Sequence, residues 1–399
     1  MKLKRLLILL LAALMLEAAL TGCAGTGPSD AQAGQTTPVQ PSAAQPPAGQ
    51  PQQAQTQDAD SSLADSQETR SQEAAGESYI FTDSTGREVE LPRNIERITP
   101  SGPLAQIVLF TLVPDKLVGL AADLTEEQLQ YMDDRFRSLP TFGHFDAGTF
   151  NLESVMLAAP QVVIDIGQSS PAMADDMQGI QDRSGIPTIF IQLDDIDTMI
   201  SGYAILGALF GAEEQAQKII DYISEKIVSV IERAAAIPEA DRVSVYYGQN
   251  DGLTALIAGA IHTDVIDFAG GHNVADIEQT VRGGAAEISM EQLMLWNPDI
   301  ILFAPGSVYG EAGSLPEWSR LNAVREGRFY EIPSGPYNWM GRPPSVNRLL
   351  GVRWLANLLY PDIFSFDMAQ ETRDFYKLFY HTDVTDAQLS ELLGKSTFK

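Results

Sequence analysis

Apolar residues along the chain follow two rhythms. Short β-branched or apolar runs at Arg97-Ile98-Thr99, Lys116–Gly119, Gln161–Ile166 and Pro187–Gln192 alternate with stretches of helical spacing, and after Arg242 the series restarts with Val243–Tyr247, Asp299–Phe303 and Arg328–Ile332. Strand runs alternating with helical patterns predict α/β architecture, with helices covering a sheet. Between the two series, Ala212–Ala236 places Ala216, Ile219, Ile220, Ile223, Ile227, Val230 and Ile231 three and four residues apart and stops before Pro238. That spacing predicts one amphipathic helix of about 37 Å at 1.5 Å per residue, long enough to bridge two lobes.

A repeat supports the division. Residues 153–164 read ESVMLAAPQVVI and residues 291–302 read EQLMLWNPDIIL. In both, a Glu opens a helical stretch, a Pro follows seven residues later, and an apolar run begins two residues after it. Two copies of one unit, one on each side of the long helix, imply two similar lobes. After Asp362 the aromatics Phe375, Tyr376, Phe379 and Tyr380 recur at helical spacing, which predicts a tail packed back on a lobe.

The N-terminus changes the picture of where the protein works. Lys2, Lys4 and Arg5 precede the apolar run Leu6–Leu16 and small residues ending at Cys23, the pattern of a secretory signal. Leu20-Thr21-Gly22-Cys23 resembles a bacterial lipobox, which makes Cys23 the expected lipidation site. Cys23 is the only cysteine, so neither a disulfide within the chain nor a cysteine-based zinc site can form. From Ala24 to about Gly76, Gln, Pro, Ala, Ser, Thr and Gly dominate, a composition that cannot bury a core and predicts a disordered tether. A formal charge of −27 argues against nucleic acid, whose phosphates demand a basic stripe. Neither G-x-S-x-G nor H-E-x-x-H occurs, and Gly394-Lys395-Ser396 lacks both the first Gly and the preceding strand of a P-loop.

With the strand and loop RITPSGPLAQIVLFTLVPDKLVGL, the NLE...P unit, the long helix, AGGHNVA and the SMEQ...NPDIILFAPG unit, Tyr79–Asp362 resembles the solute-binding proteins of ABC importers for iron-siderophore, haem and cobalamin. The resemblance implies two Rossmann-like α/β lobes joined by a single backbone helix, with the ligand in the cleft between them. The expected organisation is a signal segment at 1–23, a tether at 24–77, an N-terminal lobe at 78–197, connecting helices at 198–237, a C-terminal lobe at 238–362 and a helical tail at 363–399. It further implies a non-enzymatic, monomeric receptor on the outer face of the cell membrane, with an ABC permease and its ATPase as partners. The protein is expected to need no cofactor and to carry a ferric siderophore or related iron or corrin complex; haem or cobalamin is the alternative ligand, and an anchored extracellular hydrolase the alternative of another class.

Family members present one Glu per lobe to permease arginines, and the matching residues are Glu153 and Glu291. Each Glu also suits a helix's first turn through the dipole, and Ser289 with Gln292 resembles a capping box, so both roles stand together. In a two-lobed binder the loops after the strands reach the ligand. From the first lobe these offer Ser101, Gly102, His144, Phe145, Asp146 and Gln168; from the second, Tyr247, Gln249, Arg282 and Tyr309. The stretch GPYNWMGRPP adds Tyr337, Trp339, Met340 and Arg342, flat apolar surface with a cationic fork, although such aromatics also serve as core caps. Of the four histidines only His144 falls in a predicted cleft loop, too few for a zinc or manganese receptor; with Met340 it could ligate haem iron. A continuous helix between the lobes predicts modest closure.

Overall fold

The computed structural model describes residues 78–277, 284–341 and 344–396. The signal segment, Cys23, the tether, Arg282 and Arg342 lie outside the described residues.

An antiparallel hairpin of β1 (Ser78–Thr82) and β2 (Glu88–Pro92) leads into the first lobe. There β3 (Ile98–Pro100), β4 (Val162–Gly167) and β5 (Thr188–Gln192) form a parallel sheet in the order β3-β4-β5. It carries α1 (Pro103–Leu112), α2 (Leu152–Ala158) and α3 (Met173–Ser184). The run Val162-Val163-Ile164 is fully buried, as expected of a parallel strand covered on both faces. Of the strands expected from sequence, Lys116–Gly119 does not form one: it makes only an isolated bridge, Leu117 to Ile98. Pro114 starts a 3₁₀ turn through Lys116 that takes up the residues a ladder would need.

The crossing begins with α4 (Ile196–Phe210), whose Asp195 forms a capping box with Thr198 and whose Gly211 ends it at φ 64°. Next, α5 (Glu213–Asp221), a π-helical stretch Tyr222–Val228 and α6 (Ser229–Ala235) run on without a break, so the long helix expected from the spacing is present with a widened middle. Its apolar stripe Ala216, Ile219, Ile223, Ile227 and Val230 is buried.

The second lobe is a six-stranded mixed sheet. Parallel strands β6 (Ser244–Gln249), β10 (Ile300–Phe303) and β11 (Phe329–Glu331) sit beside the antiparallel β7 (Thr254–Leu256) and β9 (Ala285–Glu287), and β8 (His272–Asn273) pairs with β6. The helices α7 (Asp264–Phe268), α8 (Met290–Trp296) and α9 (Asn347–Leu359) belong to it.

The tail forms α10 (Met368–Phe379) and α11 (Asp386–Leu393) and packs on more than one lobe. Phe375 and Phe379 lie edge-on to Tyr222 of the connecting helix, at 5.8 and 5.4 Å, and Tyr376 lies 5.2 Å from Tyr131 of the first lobe. The Tyr376 hydroxyl donates to the Gly335 carbonyl of the second lobe, and Trp354 Nε1 donates to the Ser396 carbonyl at 2.7 Å. Arg353, stacked over Phe366, pairs with Glu371 at 2.7 Å. The expectation of a tail resting on one lobe therefore understates it. An aromatic stripe of this width finds its burial only in the groove that both lobes and the connecting helix line.

Candidate functional site: a cleft between two lobes

Both sheets point the carboxyl ends of their parallel strands at loops where the sequence predicted ligand contacts. In the first lobe, Ser101 follows β3 directly. Its N–H donates to Ile164 O at 3.0 Å, its carbonyl accepts from Phe145 N at 2.8 Å, and its hydroxyl donates to Asp165 Oδ1 at 2.5 Å. One residue thus holds the strand end, the 143–149 loop and a buried carboxylate together. Burial pushes the Asp165 carboxyl up, against the Ser101 hydrogen bond, and Asp146 adds to the rise. The loop itself is closed by Thr149, which donates from its N–H to His144 O and accepts His144 N–H on Oγ1, both at 3.0 Å. Gly143 stands at φ 85° with the Thr149 carbonyl 2.2 Å from where a Cβ would sit, so only glycine fits. His144 and Phe145 are half-buried, Phe145 against the cluster of Met177, Ile180 and Phe190, while Asp146 and, after β4, Gln168 are exposed.

The second lobe departs from expectation. Tyr247, Tyr337, Trp339 and Met340 are buried in the core, Trp339 and Met340 with no exposed surface at all. The reason lies in the backbone of the stretch. Asn338 Oδ1 accepts from Met340 N at 2.7 Å, Asn347 Nδ2 donates to the Tyr337 and Gly335 carbonyls, and Trp339 N–H donates to Pro333 O at 3.0 Å, which winds the loop inward. The Tyr337 hydroxyl faces the Gln106 side chain of the first lobe, and burial raises its pKa. In this conformation the stretch therefore joins the lobes and fills the core instead of offering flat surface to a ligand, and Met340 is not available as an axial ligand to iron. Tyr309 is half-buried, its ring 6.3 Å from Phe303 and 5.7 Å from Phe329, with its hydroxyl pushed up by burial.

Two cavities flank this junction. One, of ≈ 110 Å³, lies between Asp194, Asp195 and Met199 at the start of α4 and Asp264, Phe268 and Arg348 of the second lobe. Arg348 pairs with Asp264 at 2.9 Å, and burial draws its guanidinium pKa down. The other, of ≈ 260 Å³, is walled by Gly306, Pro333 and Ser334 after the second-lobe strands, by Glu127 of the first lobe and by Glu391 and Lys395 of the tail. Sequence reading missed Arg348, Asp194 and Lys395. For Arg348 the signal was there, a second arginine six residues after Arg342; for the tail there was none, because contact across more than 60 residues leaves no local pattern.

His262 Nδ1 lies 2.5 Å from Gly341 O, an N–H donor holding the loop end. His272 is exposed in β8. His381 follows α10 at φ 55° and bonds to Thr111 O at 3.1 Å. Among the described residues no three His, Cys, Asp or Glu side chains gather as a metal would require.

The repeated units form matching helices. Asn151 Oδ1 caps α2 by accepting from Ser154 N at 3.1 Å, and Ser289 Oγ caps α8 by accepting from Gln292 N at 3.1 Å. Both helices stop at a left-handed residue, Ala159 at φ 46° and Asn297 at φ 44°. Glu153 and Glu291 are exposed in the first turns, and hydrogen bonds from its own backbone N–H and from Ser289 hold the Glu291 carboxyl below its usual range.

Two α/β lobes, a long connecting helix and polar loops between the strand ends define a two-lobed solute-binding protein. The chain belongs to the periplasmic binding protein family, whose model matches residues 105–336. It is 23% identical over 331 residues to the molybdate-binding protein MolA of Haemophilus influenzae, covering 76% of this chain and 91% of that one. It is 22% identical over 286 residues to the uncharacterized ABC transporter substrate-binding lipoprotein YvrC of Bacillus subtilis, covering 71% and 85%. The structure resembles an ABC transporter solute binding protein from Sulfurospirillum deleyianum, with a TM-score of 0.72 and 27% identity over 79% of this chain and 99% of that one. The protein is thus the extracytoplasmic substrate-binding component of an ABC transporter, a class that works with a permease and its ATPase.

Proposed function

We propose that this receptor is leashed to the membrane by lipid on Cys23 and captures a compact ferric siderophore or related anionic metal complex between its lobes. The observation that carries the choice of ligand is the burial of Tyr337, Trp339 and Met340. A planar haem or corrin ring needs broad apolar walls, and the aromatic surface that would have supplied them is spent inside the core. Cavities of ≈ 110 and ≈ 260 Å³, the first walled largely by Ile196, Met199, Phe268, Leu349 and Val352 and the second by Glu127, Glu391, Ser334 and Lys395, suit a smaller solute. Arg282 and Arg342, outside the described residues, are the proposed cationic contacts, with His144, Phe145, Gln168 and Tyr309 on the walls. The chain is proposed to act as a monomer, with no cofactor of its own.

A second reading is a metal oxyanion. It is favoured by the name of the Haemophilus influenzae relative and by the same loss of apolar wall. Titration of the purified protein by tryptophan fluorescence with ferric siderophores, molybdate, haem and cobalamin separates them. Saturation at submicromolar concentration by a ferric complex alone supports the first reading, and by molybdate alone the second. A shifted Soret band with haem would overturn both. Cys23→Ser should move the protein from the membrane fraction to the medium; retention at the membrane would refute the anchor.

A further inference from the structure

Among the described residues the two most exposed large apolar side chains are Leu157, 87% exposed, and Leu295, 80% exposed. They stand at equivalent positions of the repeat, each four residues after its glutamate, and so one turn along the same helix face as Glu153 and Glu291. The rest of the unit matches as well: Val155 and Leu293, two residues before each leucine and on the opposite face, are fully buried, and the left-handed stop follows two residues after each leucine. Each helix returns to the start of the strand after it, β4 or β10, so its first turn lies toward the carboxyl end of that strand, where the cleft is. One isolated exposed leucine needs no explanation. Two, at the same register of a duplicated unit and in different lobes, imply a partner that is itself duplicated.

We infer that Leu157 and Leu295 are paired apolar anchors for the two-fold related membrane subunits of the importer, each seating in a pocket beside the cation that meets its glutamate. This rests on the receptor reading above. The charge around them argues for that partner over two others: neither α2 nor α8 carries a basic residue, Arg97 is committed to the Ala158 and Ala159 carbonyls at the end of α2, and Arg320 lies near Glu291, so each patch lacks the basic cluster an anionic lipid surface would need, and the exposed carboxylates would oppose one another in a face-to-face pair of receptors. An exposed leucine one turn from a carboxylate gives a docking contact its lifetime, while the carboxylate sets register and approach.

The test measures the affinity of the full receptor for its importer complex in nanodiscs, without added solute. Leu157→Ser and Leu295→Ser should each weaken binding several-fold, and the double variant at least ten-fold, with unchanged melting temperature because both side chains are exposed. Glu153→Gln with Glu291→Gln serves as the control. If the glutamate variants bind weakly and the leucine double variant binds like the wild type, the anchor assignment is overturned while the receptor reading stands. If wild-type protein does not bind the complex at all, the receptor reading itself fails. Leucine-dependent self-association in sedimentation, or leucine-dependent binding of protein lacking the lipid to phosphatidylglycerol vesicles, would overturn the inference in favour of a second copy or a membrane surface.

Discussion

Replacing Trp339 by alanine separates a core residue from a ligand wall, and the structure sets the size of the effect. The indole has no exposed surface, and the carbonyl of the same residue lies against Gly351, where a Cβ would sit only 1.9 Å from that oxygen. A buried aromatic side chain removes about 150–250 Å² from water, which at about 25 cal/mol per Å² is worth about 4–6 kcal/mol. Truncations of buried Phe and Trp to Ala cost about 3–5 kcal/mol, so a loss of about 4 kcal/mol is expected. For a folded body of about 320 residues the melting entropy is about 2.1 cal/mol/K per residue, and the same loss lowers the melting temperature by about 6 °C. Urea and thermal unfolding of the protein without solute measure both quantities. Gly351→Ala presses on the same loop from the other side and should also destabilise, by about 1–3 kcal/mol, because the contact is with backbone that cannot rotate away. Stability of Trp339→Ala within about 1 kcal/mol of wild type, together with weakened solute binding, would refute the reasoning and return the indole to the cleft.

Two further predictions concern protons. Asp165 has its folded pKa raised by burial, so the unfolded chain releases that proton first and stability falls as pH rises through and above the ordinary carboxylate range near 4. Asp165→Asn, which can still accept from Ser101, should therefore melt higher than wild type at pH 7, with the gain vanishing below about pH 4; an equal gain at all pH values would point to another cause. For His381 the sign is opposite: partial desolvation of a side chain that keeps an exposed edge lowers its pKa, more than offsetting the hydrogen bonds to the Thr111 and Phe110 carbonyls, so stability is held above about pH 6.5 and lost as pH falls below it. His381→Asn, whose side chain tolerates the left-handed backbone and can donate to Thr111 O, should flatten the melting temperature between pH 5 and 8. An unchanged slope would exclude this histidine as its source.

The sequence by itself determined the parts whose signal is local. Strands at Gln161–Ile166, Pro187–Gln192, Val243–Tyr247, Asp299–Phe303 and Arg328–Ile332 and the helix across Ala212–Ala236 are written in apolar periodicity, and the two-lobe plan follows from a repeat that needs no structure to see. The exposure of Glu153 and Glu291 follows from position in a first helical turn. Tertiary structure alone decided the fate of Tyr337, Trp339 and Met340. Their loop reads as a rigid binding segment, and nothing in its spacing says whether an aromatic side chain turns toward solvent or inward. That direction was set by partners remote in sequence: Asn347 for the carbonyls, Gln106 for the Tyr337 hydroxyl, Gly351 for the Trp339 backbone, and Tyr376 of the tail for Gly335. The tail's place against both lobes has the same origin. A stripe of aromatics declares that it must be buried, but which groove receives it depends on the shape of surfaces that exist only after both lobes have formed.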